Sequence, residues 1–409
     1  MTAAEPNSPH APGTTLGAPD FGVLRERAHN LRWATVAPDV IPLTAADPDL
    51  PVASCVTEAL ARYLASPHLS YGPASGLGGF REALADHFAR EKEAPIDPER
   101  VTATNSAASA LALVARHLVA DGLRPGDEVL VQDPVDFLLG ESARRAGATV
   151  VRWPSERRGS MRGDCVASLA RAVTPRTRAI FVCHPHNPLG TLWSPDEVRA
   201  IAAFATERGL RLVSDEVWSD TVLDGRAFRS FAAEPGAWVV HGLSKGFGLA
   251  GLRIGAVVAP SVEASRAFRS AQGFDHTIEG ASTLSQIAAE AALRDGQAWR
   301  AEFLRHCAAQ RDLAIARLGQ LPGARIAFAP EATFVLFVDI SATGLGEDTI
   351  AERLERVARV KVVPGSPRWF GPGAAGHIRL SLATTHAVLD EALARIERAW
   401  TAVTDRGDA

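Results

Sequence analysis

The sequence predicts an α/β protein: a mostly parallel sheet with helices on both faces, joined to a smaller α+β unit. Three observations carry that expectation. The chain has 409 residues, too many for one ordinary domain and about right for one large and one smaller domain. From about residue 55, helical patterns alternate with short apolar runs, as in a parallel sheet buried on both sides. After about residue 290 the pattern changes to a separate α+β arrangement. The expected division is a tail and arm over 1–50, a large unit over 51–290 and a small unit over 291–409 that also takes part of the arm. Apolar residues make up 46% of the chain, enough for a sizeable core.

The elements follow in order. Residues 1–20 are rich in Pro, Gly, Ala and Thr without a period, so a disordered tail or an arm packed on a partner is expected. Val101-Thr102-Ala103-Thr104 reads as a strand and Ser106 to Val119 as the helix after it. Strands are expected at Glu128 to Val131, Val150 to Trp153 and Ala179 to Val182. Pro195 to Arg208 is a helix with a clear start: Ser194 as N-cap, Pro195 at the first position and Glu197 completing a capping box. Leu210 to Val213, Ala237 to Val240 and Ile254 to Val258 are the next strands. One long helix is expected over Ala291 to Leu318, then strands near Ala324 to Phe328 and at Phe334 to Asp339. A helix near Asp348 to Ala358, a strand at His377 to Ser381 and a final helix from about Ala387 complete the chain.

Several function classes are disfavoured. A net charge of −4 without a basic stripe gives no electrostatic case for nucleic acid. No stretch approaches the length of a membrane span, and the N-terminus lacks the basic start and apolar run of a secretory signal, so a cytoplasmic protein is expected. The four cysteines, at 55, 165, 183 and 307, have no metal or disulfide spacing. His184 and His186 lie close together without further ligands beside them, so no metal site is expected.

The most informative run is Gly242-Leu243-Ser244-Lys245-Gly246-Phe247-Gly248-Leu249-Ala250-Gly251-Leu252-Arg253-Ile254-Gly255. A lysine among glycines and apolar residues is poorly solvated, which disfavours its charged form. A neutral amine condenses with an aldehyde, and the aldehyde suggested here is pyridoxal 5′-phosphate, held as a Schiff base with Arg253 near its phosphate. In open α/β sheets ligands sit beyond the carboxyl ends of the strands. Ser106, Asn187, Asp215 and Lys245 each follow one strand, so four strands deliver polar groups to one edge. Asp215 is the candidate partner of the ring nitrogen, because a carboxylate there keeps that nitrogen protonated. Asn105-Ser106-Ala107-Ala108, at a helix start, is the candidate phosphate cradle, aided by the Ser244 hydroxyl and Arg253. Arg379, in His377-Ile378-Arg379-Leu380-Ser381, suits planar recognition of a substrate carboxylate.

The lysine run resembles the cofactor-lysine signature of class I and II aminotransferases and their lyase relatives, the fold-type I pyridoxal-phosphate enzymes. The resemblance covers nearly all of the chain beyond about residue 22. It implies a seven-stranded sheet, a hydrogen bond from Asn187 to the ring 3′ oxygen, and Tyr71 reaching the phosphate of a neighbouring subunit. A homodimer with shared active sites acting on a small amino-acid substrate follows from it. Ala45-Ala46-Asp47-Pro48-Asp49-Leu50-Pro51, Cys183 to Trp193 and Ser214-Asp215-Glu216-Val217-Trp218-Ser219-Asp220 are similar to the MalY/PatB-type carbon–sulfur β-lyases. That branch implies β-elimination from an S-substituted L-cysteine to thiol, pyruvate and ammonia, with Lys245 as general base. The alternatives with the same residues are an aminotransferase acting on an L-amino acid, and a decarboxylating or oxidative deamination. Three positions depart from the family pattern. Asp136, in Pro134-Val135-Asp136-Phe137, stands where an aromatic ring usually stacks on the cofactor, leaving Phe137 as its substitute or the ring face open. Trp218 replaces a histidine or tyrosine, and Gly242 a phosphate-binding serine. These departures suggest a specialised substrate such as a bulky cysteine conjugate.

Overall fold

The alternation beginning at residue 101 builds one large sheet. The structure, a computed structural model, describes residues 16–66, 68–154, 165–327 and 329–405. In chain order the strands are β1 Ile41–Pro42, β2 Val101–Thr104, β3 Glu128–Asp133, β4 Thr149–Pro154, β5 Thr177–Cys183, β6 Arg211–Asp215, β7 Ala237–Gly242, β8 Gly255–Val258, β9 Val335–Asp339, β10 Val360–Lys361, β11 Val363–Pro364 and β12 His377–Ser381. Seven of them form a sheet in the order β2-β8-β7-β6-β5-β3-β4. Only β8 runs against its neighbours β2 and β7; the other pairings are parallel. The central strands are buried almost throughout, and Ala179 to Cys183 is a continuous apolar run, as a strand covered on both sides requires.

The helices start where their caps dictate. Ser194 accepts the Glu197 N–H while Glu197 accepts the Ser194 N–H, the reciprocal box that opens the helix Pro195–Glu207. Ser106 caps the helix Ala107–Ala120 by accepting the Ser109 N–H at 3.2 Å.

A smaller antiparallel sheet, β11-β12-β9, lies in the C-terminal part, and β1 pairs in parallel with β10. Trp33, Ile41 and Leu43 thereby join the apolar cluster built from residues 314–403, separate from the larger cluster around the seven-stranded sheet. The helix Gln297–Leu318 contributes Trp299, Phe303 and Cys307 to the large cluster and Ala314 and Leu318 to the small one.

Two expectations need correction. The single helix over 291–318 is two helices, Thr283–Asp295 and Gln297–Leu318, because the backbone breaks at Gly296, where a Cβ would lie 2.5 Å from the Ala292 oxygen. The strand near 324–328 is reduced to one bridge between Arg325 and Asp339, with residue 328 outside the described residues. The expected tail falls mostly on residues 1–15, which also lie outside them. No helix among the described residues is long and apolar enough to cross a membrane.

Candidate active site

The carboxyl ends of β2, β5, β6 and β7 point to the same edge, and the reversed β8 brings its amino end there too. At that edge lies a cavity of about 270 Å³. Ser106, Ala107, Ala108, Asn187, Asp215, Trp218, Ser244, Lys245, Arg253 and Arg379 all line it, and Ala46 and Asp136 join them.

Lys245 follows β7 in a turn whose backbone is pressed onto its neighbours. At Gly246 a Cβ would lie 2.2 Å from the Asp220 Cβ, so only glycine lets the turn sit there. Asp220 is itself fixed from behind by Lys92 and His87, each 2.6 Å from its Oδ1, all buried. Lys245 Nζ donates to the Ala46 carbonyl at 2.6 Å and lies 5.4 Å from the Trp218 ring centroid. Burial holds its ammonium below the ordinary lysine range, with the Asp47 carboxylate pulling the other way.

Asp215 ends β6 and accepts the Val217 N–H at 3.1 Å. Burial pushes its carboxyl up to about 7; Asp136 adds to the rise and Lys245 opposes it. A carboxyl with so little solvent is primed to hold a proton shared with a buried base.

The Ala107–Ala120 helix points its N-terminus into the cavity. Its first intrahelical bond is Ala110 N–H to the Ser106 carbonyl, so the Ala107 and Ala108 N–H groups precede the ladder at the cavity, where they could receive an anion. Arg253 Nη2 donates to Ser106 Oγ at 2.9 Å and brings a fixed positive charge to the same place. Gly255 permits this approach: a Cβ there would lie 2.5 Å from the Ala107 nitrogen. The space beside Gly242 is already taken by the Ala107 methyl, 3.0 Å from where a Cβ would be, so a serine would not fit without movement.

The opposite wall carries Asp136, Asn187 and Arg379. Asn187 bridges the other two: its Nδ2 donates to Asp136 Oδ2 at 3.0 Å and its Oδ1 accepts from Arg379 Nη1 at 3.2 Å. Arg379 Nη2 donates to the Thr44 carbonyl at 3.1 Å, and its guanidinium lies 5.1 Å from the Phe370 ring centroid. Its Nε is buried without a hydrogen-bond partner, and burial lowers its pKa to about 10. A desolvated guanidinium with an unmet donor is a strong attractor for a carboxylate.

Phe137 takes no part in the lining. Asp136 caps the helix Phe137–Arg145 and turns its carboxylate inward to the Leu138 N–H. Phe137, the first helical residue, instead meets Trp369 edge-on at 5.7 Å. Tyr71 is 92% exposed and also lies outside the lining. Sequence reasoning treated Asp136 only as a missing ring and gave Ala46 and Asp47 no chemistry; the polar Asp136 in an otherwise apolar run was the available signal. Among the described residues no His, Cys, Asp and Glu cluster could hold a metal ion.

The donor set fits a phosphorylated aromatic aldehyde: a helix N-terminus with an arginine beside it, a buried carboxyl and a buried amine line one cavity. Comparison with known proteins agrees. Residues 38–396 match the family model described as aminotransferase class I and II. The chain is 34% identical to the aspartate/prephenate aminotransferase of Thermus thermophilus over 88% of its length and 91% of that protein. It is 31% identical to aromatic-amino-acid aminotransferase 2 of Thermococcus litoralis, covering 88% and 91%. The structure of an aromatic aminotransferase from Pyrococcus horikoshii superposes with a TM-score of 0.80 at 30% identity, covering 90% of this chain and 97% of that one. The aspartate aminotransferase of Thermus thermophilus with maleate gives 0.79 at 32% identity, covering 94% and 97%. Enzymes of this kind work with pyridoxal phosphate. The protein belongs to the aminotransferase class I and II family.

Proposed function

We propose that the protein transfers the amino group of an L-amino acid to a keto acid. The observation that carries this is the meeting of a buried amine (Lys245), a buried carboxyl (Asp215) and an arginine with an unmet donor (Arg379) around one cavity. The aspartate, prephenate and aromatic aminotransferases among its relatives support it. When bound, pyridoxal phosphate supplies an electron sink for negative charge at the substrate Cα. The chain would do the rest. Ser106, Ala107, Ala108, Ser244 and Arg253 hold the phosphate, Asp215 keeps the ring nitrogen protonated, and Asn187 orients the ring through its 3′ oxygen. Trp218 supplies apolar bulk below, without an ionisable group of its own. Arg379 clamps the substrate α-carboxylate. Lys245, whose ammonium is disfavoured by burial, would hold the aldehyde and would serve as the base for the proton at Cα. Tyr71, exposed in one chain, would complete the phosphate site of a second copy in a homodimer.

The test is a panel of L-amino acids with pyruvate, oxaloacetate or 2-oxoglutarate as acceptor. Formation of the matching keto acid in step with the new amino acid supports the reading; release of pyruvate and free thiol from S-alkyl cysteines, with no amino exchange, sinks it. That second outcome is β-elimination. The MalY/PatB-like segment around Ala46 favours it, because the Ala46 carbonyl accepts directly from Lys245. The aminotransferase names of the relatives support amino transfer instead.

A further inference from the structure

Beneath the turn that carries Lys245 lies a set of buried charged and polar side chains that does not line the cavity. Asp220 is its centre. Lys92 Nζ donates to Asp220 Oδ1 at 2.6 Å and to Ser219 Oγ at 2.8 Å. His87 Nε2 lies 2.6 Å from the same Oδ1, and His241 Nε2 lies 3.3 Å from Oδ2. Burial lowers the His87 pKa to about 4, so a neutral ring donates its Nε2–H to the carboxylate. His87 lies in the helix Gly78–Glu91, and Lys92 caps the end of that helix. Arg300, from the helix Gln297–Leu318, stands 3.9 Å from Oδ1 and pairs with Glu91 at 2.7 Å.

The set meets the chain on both sides of Lys245. His241, within β7, precedes it. Gly246, directly after it, rests on the Asp220 Cβ and carbonyl. The Phe247 ring meets His87 edge-on at 6.0 Å, and the Arg300 guanidinium lies 5.9 Å from its centroid. Asp220 also belongs to the turn after β6, where the Ser219 N–H donates to the Glu216 carbonyl at 3.0 Å and the Thr221 N–H to the Trp218 carbonyl at 2.9 Å. That turn leads directly out of Asp215, the last residue of β6. One carboxylate thus stands between the turn that follows the buried carboxyl and the turn that carries the amine. Stability alone does not call for charges here, because apolar side chains of like volume can fill a buried site at no greater cost. A paired carboxylate with directed donors instead holds one geometry. Resting on the reading that Lys245 holds the coenzyme aldehyde, we propose that Asp220, gripped by Lys92 and His87, is a positioning residue: it fixes the turn of Lys245 against the turn of Asp215, and so sets where the amine stands.

The experiment compares wild-type holoenzyme with the double variant Lys92→Met/Asp220→Asn, which removes both charges and keeps both shapes. The double variant is expected to melt no lower than wild type, because no unpaired charge is left buried. With the best amino acid of the panel, its kcat is expected to be about 30-fold lower with KM within about threefold, since a misplaced amine slows chemistry without loosening substrate. A second readout needs no turnover. The initial rate at which added pyridoxal phosphate becomes fixed to Lys245, read by borohydride reduction and peptide mapping, is expected to fall about tenfold. A double variant with kcat and fixation rate both at wild-type level overturns the proposal. Where that variant does not fold, His87→Leu and His87→Gln decide. The leucine leaves Asp220 one donor short and is expected to lower the fixation rate about threefold, while the glutamine amide donates again and restores it. Equal rates for the two overturn the proposal. A wild-type protein that carries no pyridoxyl group on Lys245 overturns the reading of Lys245 and this proposal with it, whereas a labelled Lys245 in variants that match wild type overturns the proposal alone.

Discussion

The floor of the cavity and the wall opposite are built in different ways. The floor, with Asp215, Lys245, Ser106 and Arg253, is made by strand ends and a helix start of one sheet, pressed together at Gly246 and Gly255 until no side chain would fit. The wall is assembled across two cores. The Val135 N–H donates to the Phe370 carbonyl at 2.8 Å, the Gly373 N–H reaches the Asp133 carboxylate at 3.1 Å, Phe137 meets Trp369, and Arg379 meets Asn187. A rigid floor suits groups that hold one unchanging cofactor, whereas a wall made by two units can vary with the substrate. Changes to the floor should stop the chemistry, and changes to the wall should alter which substrate is used and how well.

The largest effect is expected at Lys245. Lys245→Ala should lower turnover by about 10⁴-fold or more, since in the proposed function it supplies both the anchoring amine and the base at Cα. The melting curve should show the fold retained, and activity within tenfold of wild type would remove the lysine from the floor's chemistry. Asp215→Asn should cost about 10²–10³ in kcat, measured with saturating cofactor. The same variant carries a pH signature. The wild-type carboxyl titrates at about 7 when folded against 3.8 for the ordinary group, so its burial destabilises the cofactor-free protein above pH 7 and not below about pH 4. Cofactor-free Asp215→Asn should therefore be the more stable protein at pH 8, by up to about 4 kcal/mol, with the gap closing as pH falls through that window. Denaturant titrations at pH 8 and pH 4 check this; an equal gap at both would contradict it.

Arg379→Lys, on the wall, should lower kcat/KM about 10–100-fold, mostly through KM, as a point charge replaces a planar fork. Steady-state kinetics across the amino-acid panel tests this; a pure kcat loss would move Arg379 from the wall's role to the floor's. Trp369→Ala should be the mildest, a change of about threefold in KM that differs between small and aromatic substrates, following loss of one ring pair. Uniform loss across the panel would erase the distinction between the two sides.

The floor was legible in the sequence because its signals are local. Lys245 and Arg253 share one run, Asp215 comes at the end of a strand pattern, and the Ser194–Glu197 box marks its helix start without reference to anything distant. On the wall, Asn187 and Arg379 stood out singly, but the contacts between its residues were not legible, because they join positions far apart in the chain. No periodicity shows that Asn187 bridges Asp136 to Arg379, or that Ala46 faces Lys245. Of the two alternatives at this position, Phe137 as the stacking ring or an open face, Phe137 lies outside the cavity lining for a reason one residue long: the helix begins there, so its cap turns inward and its first ring meets Trp369. The break at Gly296 escaped because the apolar spacing continues past it. At 325 the strand pattern was present, but only a single bridge to Asp339 forms.

Ser106 has φ 101° and ψ 158°, a combination natural only for glycine. Glycine would relax there, yet the serine hydroxyl both caps the helix and receives Arg253. The protein thus forgoes thermal robustness at this position to keep one oxygen in place. If Ser106 holds the coenzyme phosphate as proposed, a Ser106→Gly enzyme would gain backbone ease and release the coenzyme more readily, so durability and retention would pull in opposite directions at a single residue.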